Sequence, residues 1–353
     1  MSTPAAPRSI CLLRLSALGD ATHVVPLIRT LRRAWPSVPI TWILGKGEAR
    51  LLQGLDDVEL IPFDKAAGIA GVLSLRRQLR GRRFEVLLQM QLALRANLLS
   101  ALVSAERRIG YDAARSKEAH ALFINETIPP GGHHVLDVFG KFAEPLGLAQ
   151  DEIRWDLPVP DEARAWAVQH LPGIQPTLLI SPCSSHPLRN WSPLRYAEVA
   201  DHAVQSGWRV AICGGRSDLE RRTGDAIVAA MRHPALDLIG KDSLKQLLAL
   251  LERGSALLSP DSGPVHMANA MGCKVIGLFA CTDRERCGPY SDLSHSVNHY
   301  DEAAQKFLGK PASALRWGKR VEFPGAMDLI SAAEVKGSFD NLRGQREQPQ
   351  ALP

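Results

Sequence analysis

Short apolar runs alternate along the chain with stretches in which apolar residues recur every three or four positions. Residues 10–15 are apolar except for Arg14. Ser-Ala-Leu-Gly-Asp follows, and then Val25, Ile28 and Leu31 at helical spacing within 24–34, a helix ended by Trp35-Pro36. Further runs at 40–44, 58–61 and 86–90, with helical patterns at 69–80 and 93–105, repeat the theme. Buried strands separated by helices predict βαβ units and a parallel sheet. The second half starts afresh, with strands at 177–180, 208–213, 236–238, 256–258 and 274–279 and helices at 194–206, 219–231, 243–252 and 265–271. Gly207 suits a helix C-cap and Ser243 an N-cap. Pro158, Pro160, Pro172 and Pro176 punctuate the stretch between the halves, which reads as a linker carrying one short helix. The pattern therefore predicts two doubly wound α/β domains, at 1–157 and 177–325, joined by a linker at 158–176. The polar, Pro/Gln-rich end, 344–353, reads as disordered.

Ligands of doubly wound sheets bind beyond the carboxyl ends of the strands, so the residues that follow each strand are the candidates. With two sheets facing one another, the binding place would be the cleft between them. After the first strand, Gly19 allows a tight turn and Asp20 stands near a helix start. Asp20 is either a first-turn or capping carboxylate, or a general base aimed into the cleft. After 177–180 come Ser184, Ser185 and Arg189, just before a helix. They make either an anion site or a capped helix with a solvated arginine. After 208–213, Gly214-Gly215 lets a ligand approach the backbone, and Asp218 is either a ribose acceptor or an ordinary N-cap. After 256–258, Pro264 fits the first helical position. Asp261, Ser262 and Gly263 before it leave N–H groups for a phosphate cradle, and His266 is either part of it or a buried core histidine.

Length and composition narrow the field. The 353 residues suit about two domains, and 45% hydrophobic with 22% charged residues argues against disorder or a fibre. A formal charge of +5 favours a phosphorylated partner or an anionic membrane without choosing between them. Cys11, Cys183, Cys213, Cys273, Cys281 and Cys287 show no C-x-x-C spacing and read as buried reduced thiols. The start lacks the apolar core of a signal peptide, and no run approaches a membrane span, so a soluble cytoplasmic protein is expected. Walker A, H-E-x-x-H and D-x-D motifs are absent. No metal is expected, and the charge of a bound diphosphate would fall to Arg189, to Lys241 and to backbone N–H groups. Arg76, Arg77, Arg80, Arg82 and Arg83 form a dense basic run, either a solvated face or a phosphate-reading or membrane-facing patch. Nucleic acid is not expected, since aromatics are 6% and no groove-reading motif accompanies the run.

Four segments carry a family resemblance. They are ICLLRLSALGDATHVVPLIRTLRRAWPSVPITWI, HHVLDVFGKFAEPLG, SPCSSHPLRNWSPLRYAEVADHAVQSGWRVAICGG and, most specific, LLSPDSGPVHMANAMGCKVIGLFACTDRERCGPY. In these the chain resembles glycosyltransferase family 9, the ADP-heptose:lipopolysaccharide heptosyltransferases. The resemblance implies a GT-B fold, with two Rossmann-like domains facing a central cleft and a helix within 326–343 packing back toward the first domain. It implies inverting, metal-independent transfer of heptose from ADP-heptose to the inner core of lipopolysaccharide, with no cofactor. Asp20 would be the catalytic base. Ser184, Ser185 and Arg189 would meet the donor diphosphate, Asp261 the donor sugar, and Ser262, Gly263 and His266 the phosphates. The ribose contact falls near Asp218, and the segment from Lys241 to Leu244 flanks the adenine. Where the family usually carries a phosphate-binding lysine and two threonines, this chain has Arg189, Ser184 and Ser185. Arg115, Lys117 and His134 are the acceptor-site candidates, His134 lying in a family motif. A lipid-linked saccharide acceptor implies peripheral contact with the cytoplasmic face of the inner membrane. Alternatives are a different donor sugar, a nucleotide-sugar epimerase on the same fold, or a non-catalytic nucleotide-sugar-binding module.

Overall fold

The computed structural model describes residues 4–150 and 152–347. Its internal contacts divide the chain between Pro158 and Val159 into two units.

The first unit contains, in chain order, β1 (Ile10–Leu13), α1 (Leu18–Ala34), β2 (Ile40–Gly45), α2 (Lys46–Leu52), β3 (Val58–Phe63), α3 (Gly68–Leu79), β4 (Phe84–Gln89), α4 (Leu94–Ser100), β5 (Ala105–Gly110), β6 (Glu126–Thr127) and α5 (Val135–Gly140). The sheet is parallel, in the order β3-β2-β1-β4-β5-β6. β1 is central because each of its residues is apolar and both faces are covered, as parallel sheets require. Its Cys11 and Leu13 point to the face where Leu75 and Leu79 of α3 and Ala96 and Leu99 of α4 pack.

The second unit contains α6 (Asp161–His170), β7 (Thr177–Ile180), α7 (Pro193–Gln205), β8 (Arg209–Ile212), α8 (Asp218–Ala230), β9 (Leu236–Asp237), α9 (Leu244–Arg253), β10 (Ala256–Pro260), α10 (Gly263–Ala270), β11 (Lys274–Phe279), α11 (Arg284–Cys287), β12 (Val297–Asn298), α12 (Tyr300–Leu308) and α13 (Ala332–Glu347). Its parallel sheet runs β12-β11-β10-β7-β8-β9. α13 packs on α7, with Val335, Phe339 and Leu342 fully or almost fully buried and Phe339 edge-on to Trp208.

Several boundaries differ from the sequence reading. α1 begins at Leu18, so Asp20 lies inside the helix. The stretch read as a linker does carry its one expected helix, α6, but that helix packs on α9 of the second unit and is tied to it by Arg164–Glu252. α13 continues helical to Glu347, past the expected start of a disordered tail at 344; residues 348–353 lie outside the described residues. β5 has no apolar pattern in the sequence, because its residues, AERRIG, are charged. Arg107 makes two 2.7 Å bonds to the Glu126 carboxylate on β6, so a cross-strand ion pair replaces apolar contact at this edge. All six cysteines are buried.

Behind β5, His120 is fully buried. Its Nε2 accepts from the Tyr111 N–H at 3.0 Å, so Nδ1 carries the proton that meets Asn97 Oδ1 at 2.8 Å. Burial pushes this imidazole down to about 4. The neutral form favours the fold fully above about pH 6.5, and that contribution is lost as the pH falls toward 4. Acidification from pH 6.5 to 5 is expected to cost about 2 kcal/mol at this site. Denaturant titrations at both pH values should show the loss in the wild type and a smaller one in His120→Gln; equal losses would refute the assignment.

Candidate functional site

Each sheet has one place where the strand order reverses, and there the connections leave in opposite directions and open a crevice. In the first sheet it lies between β1 and β4. Arg14, one residue past β1, donates to the Met90 carbonyl at 2.5 Å and pairs with Asp20 Oδ2 at 2.5 Å. Its guanidinium lies 5.0 Å from the Phe139 ring centre. Burial opposes the charge of Arg14, but Asp20 and Tyr111 outweigh it, and its pKa stands above the ordinary value. Gln91 accepts from the Leu15 N–H at 2.6 Å and donates to Ser16 Oγ at 3.1 Å, so its side chain clamps the turn that leads into α1. Asp20 also accepts from the Ala17 N–H at 3.1 Å, as a first-turn carboxylate does. The capping reading of Asp20 is thus realised, and it leaves the side chain reachable, with 30% of it exposed.

The acceptor candidates divide. His134 is buried and caps α5, its Nδ1 accepting from the Leu136 N–H at 3.1 Å. Its ring lies edge-on to His23 of α1, with centres 5.6 Å apart. Arg115 is paired with Asp112, and it donates to the Gly131 and Gly132 carbonyls. Its guanidinium therefore braces two loops. Lys117 is exposed.

In the second sheet the order reverses between β7 and β10. The loops after these strands are joined by Ser259 Oγ, which donates to the Ser181 carbonyl and lies 2.8 Å from Ser262 Oγ. Arg189 sits in a single 3₁₀ turn, Pro187–Arg189, and is buried. Its Nε and Nη2 reach Glu322 at 2.8 Å, and Nη1 reaches Asp261 Oδ2 at 3.2 Å. The solvated-arginine reading is excluded, and two carboxylates hold the planar fork. Each terminal nitrogen keeps one further hydrogen for a ligand. Ser184 is also buried, its N–H held by Asn190 Oδ1 at 2.7 Å; Ser185 is exposed. Ser262 is the N-cap of α10, Gly263 opens the helix and Pro264 comes second. His266 is buried one turn in.

Beside this crevice, Gly214-Gly215 follows β8. The N-cap of α8 is Ser217 and not Asp218, which is an exposed first-turn residue. Glu220, passed over in the sequence, completes the capping box with Ser217 and accepts from the Gly215 N–H at 2.7 Å. The S-x-x-E spacing was the available signal. Lys241 donates to the Asp237 carbonyl at 2.6 Å. Next to it, burial pushes the Asp242 carboxyl up to about 7, and farther along burial pushes Lys245 down to about 8. Among the described residues no group of three or more His, Cys, Asp or Glu side chains could hold a metal ion, and no helix is long and apolar enough to cross a membrane. Glu322, Arg14 and Gln91 join the candidate site with no signal in the sequence, because each acts through a partner more than 70 residues away.

Comparison with known proteins bears on the chemistry. The profile of glycosyltransferase family 9 (heptosyltransferase) matches residues 72–317. The lipopolysaccharide core heptosyltransferase OpsX of Haemophilus influenzae is 40% identical over 338 residues, which cover 96% of this chain and 97% of that protein. The lipopolysaccharide heptosyltransferase 3 of Escherichia coli K12 is 23% identical over 78% of this chain and 83% of its own. A family 9 glycosyl transferase from Veillonella parvula superposes with a TM-score of 0.78 at 21% identity, covering 98% of this chain and all of its own. The E. coli heptosyltransferase WaaC, solved with ADP, superposes at 0.69 and 16% identity over 96% of this chain and 98% of its own.

Proposed function

Because the chain belongs to glycosyltransferase family 9, the heptosyltransferases, we propose that it moves heptose from ADP-heptose onto the inner core of lipopolysaccharide, by an inverting displacement that needs no metal. In this reading Asp20 takes the proton from the attacking acceptor hydroxyl. The same oxygen attacks the anomeric carbon of the donor as the bond to the β-phosphate oxygen breaks, and ADP leaves from the opposite face. The free hydrogens of Arg189 and the N–H groups opening α10 meet the charge that grows on the leaving phosphate. Asp261 holds Arg189 with one oxygen and offers the other to the donor sugar, while Ser184 and Ser185 line the phosphate path and His266 backs it. Asp218 or the neighbouring Glu220 meets the ribose, and the Lys241–Leu244 segment the adenine. His134, with Lys117, serves the acceptor, and Arg115 shapes its loop. The acceptor is lipid-linked, so the reaction takes place at the cytoplasmic face of the inner membrane.

The observation that carries the reading is the pairing of a partly exposed carboxylate, Asp20, with a largely buried cation at one strand reversal, and of a buried, carboxylate-held arginine beside a helix start at the other. The test is incubation with ADP-heptose and a heptose-deficient core acceptor, followed by mass spectrometry. One added heptosyl unit per acceptor and equimolar ADP are expected. No product, or an epimerised sugar nucleotide formed from donor alone, overturns the reading. ADP at 100 times its Kd is expected to stabilise the protein by about 2.7 kcal/mol in a thermal-shift titration; an equal response to GDP and UDP at the same concentrations would refute adenine selectivity.

A further inference from the structure

The first unit carries its exposed large apolar side chains in one region. Among the described residues they are Ile69 and Leu73 of α3, Leu94 and Leu98 of α4, and Leu122 of the 3₁₀ turn that contacts α4. Ile69 and Leu122 are 79% and 84% exposed, far beyond a partly covered core residue. α3 and α4 pack their inner sides, through Leu75, Leu79, Ala96 and Leu99, into the same cluster on one sheet face. Their outer sides therefore form one layer. On α3, positions 69, 73 and 76 fall within one stripe of the helix, away from buried Gly71, Leu75 and Leu79. The stripe begins apolar and ends in exposed Arg76, and exposed Arg77, Arg80, Arg82 and Arg83 follow in the last turn and just past the helix end.

Charge selects the occupant. Residues 65–84 contain one lysine and five arginines and no acidic residue, and residues 86–105 contain Arg95 and no acidic residue. The nearby carboxylates are engaged: Glu59 with Arg82 and Thr41, Asp64 with Lys46, and Glu118 with the Leu94 N–H. Over 65–105 seven basic residues stand against Glu85 alone, which Arg8 holds, and apolar side chains beside such a net cationic field fit a surface whose outer layer is anionic and whose interior is hydrocarbon. We propose that the outer layer of α3 and α4 is a membrane-docking face, on which the arginines meet anionic headgroups while Ile69, Leu73, Leu94, Leu98 and Leu122 enter the headgroup–acyl boundary. The inference rests on the proposed transfer for which membrane is met, and not for the surface itself.

The experiment is co-sedimentation of the full chain with phosphatidylglycerol-containing vesicles and with pure phosphatidylcholine vesicles, at low and high salt. Binding to the anionic vesicles that weakens with salt, and little to the neutral ones, is expected. Arg76→Gln/Arg77→Gln/Arg80→Gln should lower the partition coefficient about 10²-fold at low salt, and Ile69→Gln/Leu73→Gln about tenfold. All five positions are exposed, so the thermal midpoint should hold. Transfer to a detergent-dispersed acceptor should also persist in both variants. Absent or charge-independent wild-type binding, or variants that bind as the wild type does, would overturn the proposal. Concentration-dependent dimerisation abolished by Leu73→Gln, without vesicle binding, would overturn it in favour of a second copy on this face. If the wild type docks but transfers no heptose, the functional reading fails while the docking face stands.

Discussion

Asp20→Asn is expected to lower turnover by about 10²–10⁴-fold, the usual range for a lost general base, while leaving ADP affinity unchanged. The substitution is nearly isosteric, and the amide oxygen can still accept from the Ala17 N–H that opens α1. What it removes is the negative charge facing Arg14 and the capacity to take a proton. Asp20→Ala removes more: the helix start loses its acceptor, a change that costs about 1 kcal/mol at comparable caps, and the buried Arg14 guanidinium loses its ion-pair partner. The alanine variant should therefore be both inactive and less stable, and the asparagine variant inactive but closer to wild type in stability. Rates with ADP-heptose, read beside denaturant midpoints, separate the two effects. An asparagine variant with near-full turnover would show that Asp20 serves only helix and ion pair.

Arg189→Met is expected to reduce kcat/KM by about 10²–10³-fold, as loss of a preorganised donor to developing charge does. It should also destabilise the protein by about 3–5 kcal/mol, because removing one partner from a buried ion pair leaves the others uncompensated. Asp261 and Glu322 both face Arg189, with side chains 13% and 19% exposed. Replacing Glu322 by Gln in the methionine background removes one of the stranded charges and should recover much of the stability with none of the activity. Arg189→Lys keeps the charge but not the fork, so it can serve fewer partners at once. It should lie between wild type and methionine in both measures. A double variant that regains activity along with stability would mean that Arg189 only holds the loop.

What the sequence made legible follows the apolar pattern. β1, β2 and β11 are continuous apolar or nearly apolar runs and were located within two residues. β5, β6 and β12 are not legible in that pattern: β6 and β12 are two-residue edge strands, and β5, one strand in from the edge, is charged and gains its place from the ion pair to β6 and from the sheet beside it. The helix beginning at Leu18 was placed six residues late, since Gly19, Asp20 and Thr22 break the apolar spacing although they lie on the first turns. The candidate site residues divide in the same way. Asp20, Ser184, Arg189, Asp261 and Gly263 follow strands, and a rule about strand ends finds them. Glu322 reaches Arg189 across 133 positions of chain, and Gln91 reaches the first turn across 75; only folding brings such pairs together. Arg115 carries a charge that suits an acceptor phosphate, and in the fold that charge is paired with Asp112.

The cap that His134 provides for α5 fixes more than a helix start. Because Nδ1 is occupied as an acceptor by the Leu136 N–H, the ring's mobile hydrogen resides on Nε2. For as long as the cap stays closed, Nε2 can donate but not accept, so whatever it pairs with must bring a lone pair: a carboxylate, phosphate, carbonyl or hydroxyl oxygen and never an ammonium or amide hydrogen.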